Sequence, residues 1–466
     1  MCNVKQQMDK TINYHNIKLD SHFAGDNEKI NAKGDKNIAF TQNVEDDYFL
    51  SKNVFWIKGA INSVLHDFNL NVIYWLNHDT SLFLNEVLNS RIPHTNQAQN
   101  ALLLFLNAGV ITTDKQNSSD ENIESIFVKK EKIKLCFVEL TQKCNLKCKH
   151  CYNEVLSRSV QSLSYKDLIK VIDELVEYGI EILQFIGGEP LLFDHSDFLK
   201  VLDFATPQFE KITIFSNGTL LTEDYVKEIS KYPNVDFSVA LYSFVEKEHD
   251  CFTGVKGSFR NTMNSIELLK NNNIPTRCTG ILADGVEIGE NNELVNDYRL
   301  DFVRLSGRGS LGLYNKQLLK ARLKTLESMD YEWTKENVVA LYNERCFSRL
   351  LYISSNLDVF PCAMERRLKH GNLKHDKLSN IIKKSILNFS KKDIDGCKDC
   401  EFRYICVGCP PDSLNGSLNE KPWNCTYDVY SGKWLDVDDC IERILSYDGN
   451  NESFSPSSGG CRTGVL

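Results

Sequence analysis

The chain has 466 residues, 42% hydrophobic and 25% charged, which is the balance of a water-soluble protein long enough for two or three domains. Its net charge of −9 offers no basic face for nucleic acid or an anionic membrane. Sixteen cysteines behind a polar N-terminus with no signal-peptide core argue for metal or redox chemistry in a cytoplasmic protein rather than a disulfide framework. The longest apolar run, Ala101 to Val110, is too short to span a membrane and is interrupted by Asn107.

Residues 1–45 are rich in Asn, Asp and Lys, without periodicity, and read as a flexible arm. Over 46–115, the strand-like runs Val54-Phe55-Trp56-Ile57 and Val72-Ile73-Tyr74-Trp75-Leu76 precede two helical patterns, through Leu82 to Leu88 and Ala101 to Leu106. This order predicts a small α+β domain, followed by a polar linker over Thr112 to Ile123. It resembles the winged-helix leader-recognition elements of peptide-modifying enzymes, which capture a peptide as an added strand. Ile57-Lys58-Gly59-Ala60, followed by Asp67, is similar to the opening of grasp-with-spasm peptide maturases. A packing domain without a ligand fits the pattern equally well.

From Lys132 a strand, loop and helix rhythm begins, with strands predicted at 133–140, 181–186, 211–215, 235–241, 275–282 and 301–305. Between the first two, Ser164 to Tyr178 is a helix with Ser164 and Asp167 as its capping pair, Leu168, Ile172, Leu175 and Val176 on one face, and Gly179 after its end. Six such units predict an α/β fold with a parallel sheet, closed or partly closed into a barrel, and a site at the C-terminal ends of its strands. Cys144, Cys148 and Cys151 lie in the loop after the first strand, at a C-x3-C-x2-C spacing that ends in Tyr152. Three thiolates leave a cubane iron or a tetrahedral zinc one ligand short, and a zinc loop is the alternative reading. The loop resembles that of the radical S-adenosylmethionine (SAM) enzymes. The resemblance implies a [4Fe–4S] cluster whose open iron is chelated by the cofactor and whose reduction yields a 5′-deoxyadenosyl radical. It also implies a partial (β/α)6 TIM-like barrel over 132–310.

Gly187-Gly188-Glu189-Pro190 after strand two resembles the family segment that binds the cofactor's methionyl amino group, and its glycines would let the backbone approach closely. Ser216-Asn217-Gly218-Thr219 resembles the ribose-side segment, while Ser243 and Arg304 sit where relatives place ribose and carboxylate contacts. Gly280-Ile281 with Glu287 resembles a segment near the adenine. His249 reads as a loop histidine rather than a proton donor. Residues 306 to about 340 carry no chemical signal.

Beyond Glu344 seven cysteines form a second field: Cys346, Cys362, Cys397-x2-Cys400-x5-Cys406-x2-Cys409 and Cys425. Seven thiolates exceed one tetrahedral site, so two sites are implied. The field resembles the SPASM extension, here over 340–435, which holds two auxiliary [4Fe–4S] clusters. By that resemblance Cys346, Cys362 and Cys409 hold the first, and Cys397, Cys400, Cys406 and Cys425 the second. Leu357 stands where the family carries a glycine, and the Cys406/Cys409 spacing is x2 rather than x3. Cys2, Cys136, Cys251, Cys278, Cys440 and Cys461 read as packing thiols, and 448–466 as a flexible tail.

The resemblance implies a peptide maturase with three clusters and S-adenosylmethionine. It would be fed by a low-potential electron donor and would install a thioether, C–C or C–O crosslink in a leader-bearing precursor peptide. The alternatives are an anaerobic sulfatase-maturing enzyme and a non-catalytic Fe–S or zinc scaffold.

Overall fold

The structure is a computed structural model and describes residues 47–91, 96–118, 123, 133–153, 160–329, 350–384, 391–406, 413–414 and 416–447. The arm, the tail, Cys346 and Cys409 lie outside those residues.

The N-terminal unit has three more strands than the two its sequence suggests. Short strands β1 (Phe49–Leu50) and β5 (Ile111–Thr112) pair antiparallel, so the expected linker opens inside a strand. Between them β2 (Val54–Lys58), β3 (Ser63–Asp67) and β4 (Val72–Leu76) form an antiparallel meander, followed by α1 (His78–Leu88) and α2 (Asn96–Asn107). The third addition, β3, is central and buried along its whole length, so its sequence Ser-Val-Leu-His-Asp shows no polar alternation. Val54, Leu65, Tyr74 and Leu76 pack on one side with Leu84, Val87 and Phe105 from the helices. Phe55, Ile57, Val64 and Phe68 pack on the other with Phe402, Tyr404, Ile405, Tyr427 and Val429 from the second cysteine field.

The central sheet carries six parallel strands side by side in chain order: β6 (Leu135–Thr141), β7 (Ile182–Gly187), β8 (Lys211–Ser216), β9 (Val235–Ala240), β10 (Thr276–Leu282) and β11 (Tyr298–Phe302). Covering them are α3 (Tyr165–Tyr178), α4 (His195–Ala205), α5 (Glu223–Ile229), α6 (Glu246–Thr253) and α7 (Ser258–Asn271). The α3 caps are as expected: the Ser164 side chain accepts from the Asp167 amide, and Gly179 is left-handed at φ 87°. The sixth strand starts three residues earlier than predicted, because its register with β10 begins at Cys278 against Tyr298. Arg304 lies just beyond the end of that strand, after it as expected.

The sheet does not close. β11 is one edge, while β6 is extended on its other side by β12 (Leu350–Ile353), parallel, and then by antiparallel β13 (Asp358–Phe360) and β14 (Gly371–Asn372). The result is a mixed nine-stranded sheet in which the start of the second cysteine field continues the barrel wall. Helices α8 (Lys316–Arg322), α9 (Leu378–Lys384) and α10 (Val437–Leu445) and the hairpin of β15 (Tyr427–Asp428) and β16 (Lys433–Trp434) complete the described structure. Among the described residues no helix is long and apolar enough to cross a membrane.

Candidate functional site

The cysteine loop leaves β6 immediately after a register shift between Glu139 and Thr141 and is then gripped from four directions. The β7 loop donates Gly188 N to Thr141 O at 2.8 Å and Glu189 N to Lys143 O at 2.7 Å. From the β8 loop, Asn217 Nδ2 donates to Asn145 Oδ1 at 2.9 Å, and Asn145 Nδ2 donates to Thr219 Oγ1 at 2.7 Å. The end of α6 accepts from Lys147 N at 2.8 Å and Lys149 N at 3.0 Å, and Arg308 N donates to Cys151 O at 2.9 Å. A loop without regular secondary structure is thus held by backbone and side-chain partners on all sides, as a buried connection must be.

The three thiols share one electrostatic environment. Burial pushes Cys144 up to about 11, with Glu189 and Cys151 adding to it against amide hydrogen bonds from Leu146 and the Asn217 side chain. Burial, Cys144 and Cys151 push Cys148 up to about 12 against the Tyr242 hydroxyl and Arg308. Half-buried sulfurs that repel one another as thiolates, with hydrogen-bond donors already aimed at them, suit a cationic centre that would hold them deprotonated. Among the described residues no three His, Cys, Asp or Glu side chains are gathered around the position of a single metal ion.

The neighbouring motifs turn out to build the loop as much as face a ligand. An added Cβ on Gly188 would stand 2.6 Å from Gln142 O and closer still to Lys143 O, and one on Gly187 would strike Thr141 O. These glycines therefore permit strand two to press against the cysteine loop itself. Glu189 is fully buried: its carboxylate accepts from Ser216 Oγ at 2.8 Å, Leu191 N at 3.1 Å and Asn217 N at 2.7 Å, tying the β7 and β8 loops together. Burial raises it to about 7 despite those donors. Pro190, also buried, starts the short turn that follows. Ser243 gives its hydroxyl to Glu287 O at 2.6 Å and accepts from Val245 N at 2.8 Å, so it fastens the 287–288 loop. The Arg304 guanidinium pairs with Asp301 at 3.2 Å. Tyr152 donates to Gly187 O at 3.4 Å and lies under the Arg366 guanidinium, 5.8 Å from the ring centre.

Sequence reading missed three residues here. Glu139, fully buried on β6, accepts from the Tyr352 hydroxyl, from Ser355 Oγ at 2.6 Å and from Arg366 Nη2 at 3.3 Å. This buried ion pair joins the barrel to the β12–β13 segment, next to Tyr152 and Cys362. Arg308 places its charge beside Cys148 and His150, and its Nε is buried without a hydrogen-bond partner. A lone acidic residue inside an apolar strand, as in Phe137-Val138-Glu139-Leu140, was the one available signal.

In the second field Cys397, Cys400, Cys406 and Cys425 are likewise within electrostatic reach of one another. Burial holds Cys397 at about 11 and Cys400 well above its ordinary range. Cys406 differs: burial would raise it, but the Lys324 and Lys391 ammoniums outweigh burial and bring it down to about 7. Lys324 Nζ stands 3.6 Å from Cys406 Sγ. Of the other expected trio, Cys362 lies in the turn after β13, its Sγ accepting from Met364 N at 3.4 Å, while its two companions are outside the described residues. Leu357, in place of the glycine, keeps a left-handed backbone at φ 66° and is 3% exposed. Cys136, Cys278 and Cys440 are buried free thiols, as expected; Cys251 departs, being half-buried and disulfide-bonded.

The pattern of the Radical SAM superfamily matches residues 138–297, from β6 through the β10 loop. The AdoMet-dependent heme synthase of Nitratidesulfovibrio vulgaris is 30% identical over 345 residues, 63% of this chain and 92% of that protein. This chain belongs to the radical SAM superfamily. The match places Cys144, Cys148, Cys151 and the β7 to β9 loops inside the superfamily's own region, and the second cysteine field beyond it. The radical SAM chain is also 26% identical to the antilisterial bacteriocin subtilosin biosynthesis protein AlbA of Bacillus subtilis, over 62% of this chain and 70% of that protein. Among solved structures, Streptococcus suis SuiB bound to precursor peptide SuiA aligns with a TM-score of 0.47 and 14% identity, covering 78% of this chain and 96% of that one.

Proposed function

We propose that this radical SAM enzyme matures a ribosomally made peptide, held through its leader by the β2–β4 sheet, and installs a crosslink in the core peptide at the mouth of the barrel. One observation carries the reading: the N-terminal sheet is docked directly on the second cysteine field. Ala60 N donates to Asp399 O at 2.7 Å, Arg403 Nη1 to Lys58 O at 2.7 Å, and Trp75 Nε1 to Glu401 Oε1 at 3.3 Å. A strand-adding module beside the barrel would raise the local concentration of its tethered peptide there. The similarity to a bacteriocin biosynthesis protein supports the same substrate class.

In this reading Cys144, Cys148 and Cys151 hold a [4Fe–4S] cluster and Tyr152 closes its loop. Gly187, Gly188, Glu189, Pro190, Ser216, Asn217, Ser243 and Arg304 frame the S-adenosylmethionine. Bound together, cluster and cofactor supply the one-electron chemistry that opens an unactivated C–H bond. The chain's own part is to hold the thiolates with the Asn217 amide and Tyr242 hydroxyl, and to fix the β7 and β8 loops through Glu189. Cys397, Cys400, Cys406 and Cys425 hold one auxiliary cluster and Cys346, Cys362 and Cys409 another, with reducing equivalents from a low-potential donor in the cytoplasm.

The test is anaerobic incubation of reconstituted enzyme, reductant and S-adenosylmethionine with a precursor peptide encoded beside its gene, read by mass spectrometry. Loss of a hydrogen pair per crosslink is expected. Cofactor cleavage with the peptide unchanged, or conversion of a Cys or Ser to formylglycine, would overturn the reading.

A further inference from the structure

We propose that Lys324 and Lys391 raise the reduction potential of the iron–sulfur group held by Cys397, Cys400, Cys406 and Cys425, so that it takes up an electron more readily than four thiolates alone would allow. This rests on the reading that those four cysteines hold a cluster. Charge beside a cluster and hydrogen bonds to its sulfurs are the protein's main means of setting that potential, because reduction adds negative charge that a nearby cation stabilises.

Both lysines act on one sulfur. Lys324 Nζ donates to Cys406 Sγ at 3.6 Å, and the Lys391 ammonium bears on the same thiol from a separate turn, Lys391–Asp393. Lys324 is also pinned by its backbone. Its N–H donates to Asn424 O at 2.7 Å, its carbonyl accepts from Thr426 Oγ1 at 2.7 Å, and it forms a parallel bridge with Cys425. The ammonium therefore approaches the site from a frame that the ligand Cys425 shares.

The surroundings make that charge count. Phe402, Tyr404, Ile405 and Tyr427 are buried around the site with Phe55, Ile57 and Val64 from the N-terminal sheet, so the field acts through little water. On the opposite side Glu401, fully buried, lies beside Cys400, its Oε1 accepting from the Tyr427 hydroxyl and from Trp75 Nε1. The cysteine set thus has its lysine side at Cys406, away from the buried Glu401 beside Cys400.

The experiment uses the full chain, reconstituted anaerobically, with Cys144, Cys148, Cys151, Cys346, Cys362 and Cys409 replaced by Ala so that the signals of the other two clusters are absent. Iron and sulfide content, compared with and without Cys397→Ala and Cys400→Ala, establishes the cluster before any lysine is changed. If those cysteine substitutions remove no iron, the cluster reading fails and the lysine inference falls with it. The midpoint potential is then followed by paramagnetic resonance during a redox titration. Lys324→Met should move it to lower potential with iron content unchanged, and Lys324→Arg should stay near the parent. Lys391→Met, in a separate turn, should shift it in the same direction and serves as the independent test if Lys324→Met does not fold. A potential unmoved by every folded, fully loaded Met variant overturns the inference.

Discussion

His249 lies in α6, 1% exposed, with its Nδ1 accepting from the Tyr242 amide at 3.3 Å and its ring edge-on to Phe259. Burial lowers it from 6.5 to about 4 against the opposing pull of Asp250, so the folded protein keeps it neutral. It is a packing group behind Tyr242, in a helix rather than the polar loop that the sequence suggested. Between those two values the unfolded chain binds more protons than the folded one. The stability it supports is complete above pH 6.5 and is lost as pH falls toward 4, by roughly 3 kcal/mol in all. His249→Gln keeps an acceptor without the titration, so urea unfolding from pH 6.5 to 5 should show a shallower loss than the parent. Leu357 presents the converse case, a residue whose chemistry gives no hint of its backbone. A left-handed non-glycine costs about 1–2 kcal/mol. Its burial against the barrel core is of a size to offset that.

At the scale of elements, the β7 loop offers two roles for one motif. Gly187-Gly188 reads in the sequence as an opening for a ligand's close approach, which predicts weaker cofactor binding with the clusters untouched when a side chain is added. The geometry predicts otherwise, because a Cβ at Gly188 collides with the carbonyls of Gln142 and Lys143, which lead into Cys144. Gly188→Ala should therefore lose iron from the first cluster together with S-adenosylmethionine affinity. Iron content beside equilibrium cofactor binding checks this, and full iron with weakened binding would restore the simpler explanation. The segment 306–340 is a further case. It looks empty of chemistry in the sequence, yet it delivers Arg308 to the cysteine loop and Lys324 to Cys406. Nothing in Leu323-Lys324-Thr325 marks that lysine, since its role exists only once β15 and the Cys425 turn are packed against it.

For the molecule as a whole, the N-terminal sheet and the second cysteine field form one packed body, and this changes what a truncation should do. As a module on a polar linker, residues 1–120 could be removed without harm to any cluster. As found, removal would expose Phe402, Tyr404, Ile405, Tyr427 and Val429 beside Cys400, Cys406 and Cys425. Each such large side chain is worth about 1.5–3 kcal/mol when buried. Deleting 1–120 should therefore lower iron content and cause aggregation. Trp75→Phe, which removes only the bond to Glu401, should cost about 1–3 kcal/mol by denaturant unfolding with iron retained. A soluble deletion with full iron would return the sheet to the status of a tethered module.

What the sequence determined by itself is chemistry that depends on spacing along the chain. The thiols of Cys144, Cys148 and Cys151 are bound to lie near one another because they fall within eight consecutive residues. The 3.6-residue period and caps of α3 are local in the same way, as is the strand and helix rhythm that orders β6 to β10. What only the tertiary structure decided depends on residues distant in sequence: β3 hidden by burial on both faces, and Glu139 meeting Arg366. Lys324 at Cys406 and the sheet docked on the cysteine field belong with them. The reason is physical. Periodicity and motif spacing record contacts within a few turns of chain, whereas a buried charge or a twice-covered strand is defined by partners that arrive from hundreds of residues away.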